Sequence, residues 1–187
     1  MNRAFSGARA ELAMLAQWIG PGASWHNKFG ETLTLDDLVL ALLDRATWDA
    51  GSCNGLHVFG TCCIIWRLAV ERGDTLRPET LRTLEQYVRD TLDAIWVTQH
   101  ADGHWDASWK GHRTARPASA ADDLVSTGHV LEALTWLPER VPVDSRTVLR
   151  GVRWLAQRLQ DTKAIDPRLL CPYTHAVVAL GRTERRQ

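Results

Sequence analysis

Apolar residues recur at helical spacing through most of this chain, and they do so in two styles that alternate. Leu81, Leu84, Val88, Leu92 and Ile95 keep a 3–4 spacing behind Pro78, a residue suited to a first helical turn. Val148, Val152, Leu155 and Leu159 repeat the pattern, with Asp144 or Ser145 as the cap. Leu35, Leu38, Leu40 and Leu42–Leu43 follow Thr34, and Asp37 three residues on suggests a capping box. Many charges fill the intervening positions, so these three segments predict amphipathic helices with one wet face. Residues 55–70, 124–137 and 171–180 are instead apolar on nearly every side, which predicts helices buried on most faces.

The order is amphipathic, apolar, three times over, after a first helix expected near 3–18. No strand alternation runs over four or more residues. The expected fold class is therefore all-α, a single domain over 1–187. Its apolar helices should form an inner layer wrapped by amphipathic ones, so that stacked antiparallel hairpins curve into a solenoid or double-walled ring.

The 22 basic and 22 acidic residues cancel and are interspersed, which argues against nucleic acid or an anionic membrane as partner. No run approaches the roughly 18–20 apolar residues of a membrane span. Arg3, Arg9 and Glu11 interrupt the N-terminal segment where a signal peptide needs an apolar core, so a cytoplasmic location is expected. In that compartment the four cysteines read as free thiols or ligands, with Cys62 and Cys63 packed in the core. The nine tryptophans suit junctions between packed elements, where the ring is buried and the N–H finds a partner.

The segment QHADGHW, residues 99–105, resembles the Gln-x-x-Asp-Gly-x-Trp element that closes hairpins in α/α-toroid proteins such as terpene cyclases and protein prenyltransferase β-subunits. DDLVSTGHVLEAL at 122–134 is similar to the inner-helix start of those repeats, and Trp48-Asp-Ala-Gly and Trp96…Asp102-Gly look like diverged copies of one junction. The resemblance covers about 35–181 in pattern and 99–134 in motif, and implies a partial or small α/α toroid with about three hairpins. The chain departs from the family's catalytic motifs. Ala120-Ala-Asp-Asp123 lacks the first aspartate of Asp-x-Asp-Asp, and Asp36-Asp37 runs into Leu-Val-Leu rather than Asp-Asp-x-x-Asp. Ser52-Cys53-Asn-Gly55 also resembles the Cys-His-Gly segments of lanthionine cyclases, toroids that bind zinc through cysteines and a histidine at one mouth.

Two pentapeptides echo each other. CNGLH (53–57) and CPYTH (171–175) each set a cysteine four residues before a histidine that opens an apolar run, and VSTGH (125–129) brings His129 into a third. In a helix, i and i+4 share a face and can bite one ion, so Cys53, His57, Cys171 and His175 are the expected metal ligands, zinc the expected ion. Four ligands would close the site; three would leave room for water. Parallel inner helices would collect their positive N-termini at the same mouth, favouring thiolates and anions. His129 and, three residues on, Glu132 are the catalytic candidates.

Other residues receive structural readings. Asp122 and Asp123 fall where helix caps belong, and Asp102-Gly103 reads as a turn with Trp105 packing back. Trp25-His26-Asn27 is a candidate lid over the mouth, and Tyr173 a candidate proton donor. No phosphate loop, nucleophile elbow or Rossmann glycine pattern appears. The expected function is binding of a small molecule or peptide in a concave cavity with the Cys/His cluster at one mouth. The alternatives are a zinc-dependent enzyme of the toroid type and a structural interaction module, with a homo-oligomer open in each case.

Overall fold

A computed structural model of the chain describes residues 9–19, 22–46, 52–73, 75–111, 119–162 and 170–184. Its helices are α1 (Arg9–Trp18), α2 (Leu35–Ala46), α3 (Leu56–Arg72), α4 (Pro78–Thr98), α5 (Ala120–Thr135), α6 (Ser145–Gln160) and α7 (Leu170–Glu184). A 3₁₀ turn at Ser52–Gly55 leads into α3. Residues 3–8 of the expected first helix, and the Trp48 junction, lie outside the described residues.

The helix starts follow from their caps. At α2 the Thr34 N–H donates to Asp37 Oδ2 (2.8 Å) and the Asp37 N–H donates to Thr34 Oγ1 (3.3 Å), a reciprocal capping box. Ser119 caps α5, accepting from the Asp122 N–H, and Asp144 caps α6, accepting from the Arg146 N–H. α4 opens on Pro78.

Helix α5 lies between α3 and α7 and packs along both. α4 covers α3 and touches α2, while α6 leans on α5 and α7. The two styles of sequence thus become two layers. α3 buries Val58, Phe59, Cys62, Cys63, Ile65 and Trp66 around its circumference, whereas α6 buries only Thr147, Gly151 and Leu155. Cys62 and Cys63 are fully enclosed, and burial pushes both thiols up.

Two elements depart from expectation. α7 buries Ala176, Ala179 and Thr183 on one stripe but leaves Val177 at 61% and Leu170 at 59% exposure, because its far face has no covering element among the described residues. Strands β1 (Ser24–His26) and β2 (Thr32–Thr34) pair antiparallel, with Trp25 opposite Leu33. At three residues each they are too short to show a period of two. Asn27 Oδ1 closes their turn, accepting from the Phe29 and Glu31 N–H groups.

The 99–105 segment ties three helices together. Gln99 Nε2 donates to the carbonyls of Gly103 (2.8 Å) and Thr147 (2.9 Å), and Arg150 donates to Gln99 Oε1. Trp105 is fully buried; its indole N–H donates to Ile95 O, and its backbone N–H donates to Thr127 Oγ1. Gly103 has φ +106°, and a Cβ there would stand 2.5 Å from the Arg150 carbonyl oxygen, so no other residue fits. Among the described residues no helix is long and apolar enough to cross a membrane.

Candidate functional site

The three histidines that open or sit within the apolar helices meet. Ring centroids of His57 and His129 are 4.9 Å apart, those of His57 and His175 5.7 Å, and those of His129 and His175 3.8 Å. What permits this is the close approach of α5 and α7. A Cβ on Gly128 would fall 3.1 Å from the Ala176 backbone nitrogen, so the two helices touch backbone to side-chain-free backbone beside His129 and His175.

His129 is 95% buried by exposure of 5%. Its Nδ1–H donates to the Val125 carbonyl (2.8 Å), which fixes the tautomer and leaves Nε2 as a lone pair. That Nε2 is buried and has no hydrogen-bond partner. Burial, then the neighbouring His175, hold its pKa down at about 4, so the ring is neutral near pH 7.

One ligand atom each from Cys53, His57 and His129 lies within 4.8 Å of the others, a set that one ion could bridge. Cys53 reaches the group differently from expectation. Its backbone is left-handed (φ +52°) within the 3₁₀ turn, followed by Gly55 at φ +82°, so it does not share a continuous α-helical face with His57. Burial, together with the Cys171 thiol that hydrogen-bonds to it, raises the Cys53 pKa above the ordinary thiol value. His129 also sits elsewhere than expected: α5 begins at Ala120, about two and a half turns earlier, so the α5 N-terminus does not reach this mouth.

The remaining expected residues form the surround. Cys171, in the first turn of α7, is exposed and lies against Cys53. His175 commits Nδ1 to Glu132, 2.6 Å from Oε2. Burial pushes the Glu132 carboxyl up, but the hydrogen bond and charge of His175 outweigh it and hold Glu132 below its ordinary value. Tyr173 points elsewhere, its hydroxyl 2.9 Å from Thr162 Oγ1.

These groups close one end of a cavity of about 270 Å³ between α1, α3, α5 and α7. His57, His129, Glu132 and His175 line that end; Leu56, Ile64, Ala133 and Trp136 are among its apolar walls. The β1–β2 hairpin with Trp25 and His26 is not part of the lining. A larger cavity of about 390 Å³ lies between α5, α6 and α7, walled mainly by Leu131, Leu134, Val141, Val143, Val148 and Leu149. It holds no cluster of ligating or titrating groups, so the smaller cavity is the better candidate for chemistry.

A second histidine group had no signal in the periodicity. His104 stacks between His100 (4.2 Å) and Trp154 (5.2 Å), with Asp102 Oδ1 2.6 Å from its Nδ1. Asp123 Oδ2 stands 4.0 Å from His104 Nε2, and Asp106 Oδ2 3.3 Å from His100 Nε2. Ser119, not Asp122, is the cap of α5. Asp122 is a first-turn acid whose N–H donates to the Ser119 hydroxyl and whose Oδ2 accepts from it. Asp123 faces this stack, and burial raises its pKa. The His-x-x-x-His spacing of 100–104 within a turn was the only available hint.

Comparison with protein-family models, with curated proteins and with solved structures finds no match to this chain.

Proposed function

We propose that Cys53, His57 and His129 hold a zinc ion, and that the protein is a zinc-dependent enzyme acting on a small molecule in the adjoining cavity. The observation that carries this reading is the His129 Nε2 lone pair, buried without a partner beside a thiol and a second imidazole. A buried acceptor left unpaired costs stability, on the order of 1–3 kcal/mol, and a ligand bond to an ion offsets that cost. Thiolate and imidazole are the donor set that suits zinc. The Nδ1–H to Val125 bond does what a ligating histidine requires, fixing the ring so that Nε2 faces the ion.

When bound by three protein ligands, zinc supplies Lewis acidity toward a water or a carbonyl oxygen in its open position. The chain's own residues do the rest. Glu132 holds the Nδ1–H of His175, so His175 Nε2 can take a proton and pass it back. Leu56, Ile64, Ala133 and Trp136 keep water out of the substrate's place. Cys171 hydrogen-bonds to Cys53 from outside the set of donors that one ion could bridge, which leaves the fourth position open.

The two-layer packing, and the Gln99–Trp105 tie across α4, α5 and α6, support a partial α/α toroid. Cobalt substitution tests the metal reading. The expected spectrum has a near-ultraviolet thiolate-to-cobalt charge-transfer band that Cys53→Ser abolishes, with visible d–d bands that azide perturbs through an open position. A spectrum unchanged by Cys53→Ser would overturn the ligand set.

A further inference from the structure

We infer that the substrate is an uncharged molecule with a ring-sized apolar body and a short arm, and that Gly60 and Ala133 set how long it can be. This rests on the reading of the cavity of about 270 Å³ as the substrate's place. Both residues line that cavity. Gly60 follows His57 by three positions in α3, and Ala133 follows His129 by four in α5, so each stands one turn beyond its histidine on the same face. A further turn on, Ile64 and Trp136 continue the wall. The lining is thus layered. Imidazoles come first, then two small residues about 5 Å along the helices, then bulky apolar side chains about 5 Å beyond those.

The backbone at Gly60 does not ask for glycine. It lies inside α3, where glycine is less stable than alanine. Among the described residues a Cβ there would meet only the Ala133 Cβ, 3.9 Å away, which is ordinary van der Waals contact. What the missing methyl leaves is room in the cavity, one turn from the histidines. The buried, partnerless Nε2 of His129 marks the end where the ligand's polar group belongs. Charge narrows the ligand class further. The described lining offers no lysine or arginine to hold an anion, and its one carboxylate, Glu132, is already held by His175. At about 270 Å³ the space approaches twice the roughly 150 Å³ of an apolar cavity that holds one benzene. A six-membered ring with an arm of about two or three carbons and one hydroxyl or carbonyl fills it; nucleotides and long peptides do not fit.

The experiment is calorimetric titration of metal-free wild type, Gly60→Ala and Ala133→Gly. The probes are phenol, benzyl alcohol, 2-phenylethanol, 3-phenylpropanol and 4-phenylbutanol, with 3-phenylpropanoate as the charged counterpart. In the wild type, affinity should climb with arm length to a maximum and then fall, and the carboxylate should bind about tenfold more weakly than its alcohol. Gly60→Ala should move the maximum to a shorter member and weaken the wild type's best ligand about tenfold, as one methylene in a filled pocket does. Ala133→Gly should move the maximum to a longer member. Gly60→Ala should also raise the Tm of the ligand-free protein by roughly 1–4 °C, whereas a glycine needed for the fold would give the opposite sign. The same maximum in all three proteins overturns the inference, as does affinity that climbs without a maximum or no binding at all. A carboxylate that binds as tightly as its alcohol overturns it, and so does a Gly60→Ala chain that is destabilised or fails to fold. Should Ala133→Gly not fold, Gly60→Ala decides alone. Because these titrations contain no metal, the two readings fail separately: zinc uptake with no length maximum sinks only the inference, and a moving maximum without zinc uptake sinks only the zinc site.

Discussion

Replacing His129 by leucine should make the metal-free protein more stable, which is the reverse of what most core substitutions do. His129 buries Nε2 without a partner, at a cost of roughly 1–3 kcal/mol. Leucine is of similar bulk and brings no polar atom. The Val125 carbonyl is not orphaned, because within α5 the residue 129 backbone N–H still reaches it. A net gain of about 1–2 kcal/mol corresponds to roughly 2–6 °C in Tm for a chain of this length. The pH dependence sharpens the test. The folded pKa of His129 is depressed to about 4 from 6.5, so the unfolded chain takes up a proton first as pH falls. Stability is therefore lost between about pH 6.5 and 4, by an amount on the order of 3 kcal/mol, and is level below that. Thermal melts of metal-free wild type and His129→Leu from pH 8 to 4 measure both effects. The variant should melt higher at pH 7.5 and lack the acid loss. A lower Tm at pH 7.5, or an acid loss of the same size in both proteins, would refute the reasoning that this ring is held at a stability cost for binding.

Further expectations follow from other parts of the fold. Gly103→Ala combines an unfavourable φ of +106° with overlap against the Arg150 backbone and should cost about 2–5 kcal/mol, whereas Gly73→Ala, at φ +86° in open space, should cost about 1; equal urea midpoints for the two would contradict the tie described at 99–105. The Asp144 carboxyl, held below 3.8 mainly by the Thr147 hydroxyl, contributes stability above its unfolded pKa that is lost as pH falls through the folded one. An NMR titration should show its midpoint rising in Thr147→Val, and an unchanged midpoint would remove that hydroxyl as the cause. Mild oxidation should join Cys53 and Cys171, whose thiols share a hydrogen bond, giving a mass about 2 Da lower that Cys171→Ser prevents. A cross-link to Cys62 or Cys63 instead would mean that the 3₁₀ turn and α7 are placed otherwise.

Much of the architecture was legible because helix period and caps are local. Pro78, the Thr34–Asp37 pair and Asp144 mark helix starts that the structure keeps, and the apolar segments became the row α3, α5, α7. His57, His129 and His175 do meet, but not for the reason the sequence offered, since His129 stands mid-helix and the α5 N-terminus lies elsewhere. The donor grouping was not legible. Cys53 reaches the cluster through a left-handed residue that no i, i+4 rule describes, and His129 arrives mid-helix because Gly128 lets α5 and α7 touch. Likewise Val177 reads as core by its apolar neighbours, yet whether a face is covered depends on what packs there, not on the segment itself. The contact of Arg182 with Trp136 gave no signal in sequence, since the two stand 46 positions apart and meet only in the fold, guanidinium carbon 3.8 Å from ring centroid.

The most direct test of the zinc site is the metal content and zinc affinity of protein purified without chelator or affinity metal, beside His57→Gln and His129→Gln. About one zinc per chain in the wild type, with affinity falling at least 10-fold in each variant while both remain folded, is the result the account predicts. Folded wild-type protein that takes up no zinc, or a His129→Gln variant that binds it as tightly as the wild type, would contradict it.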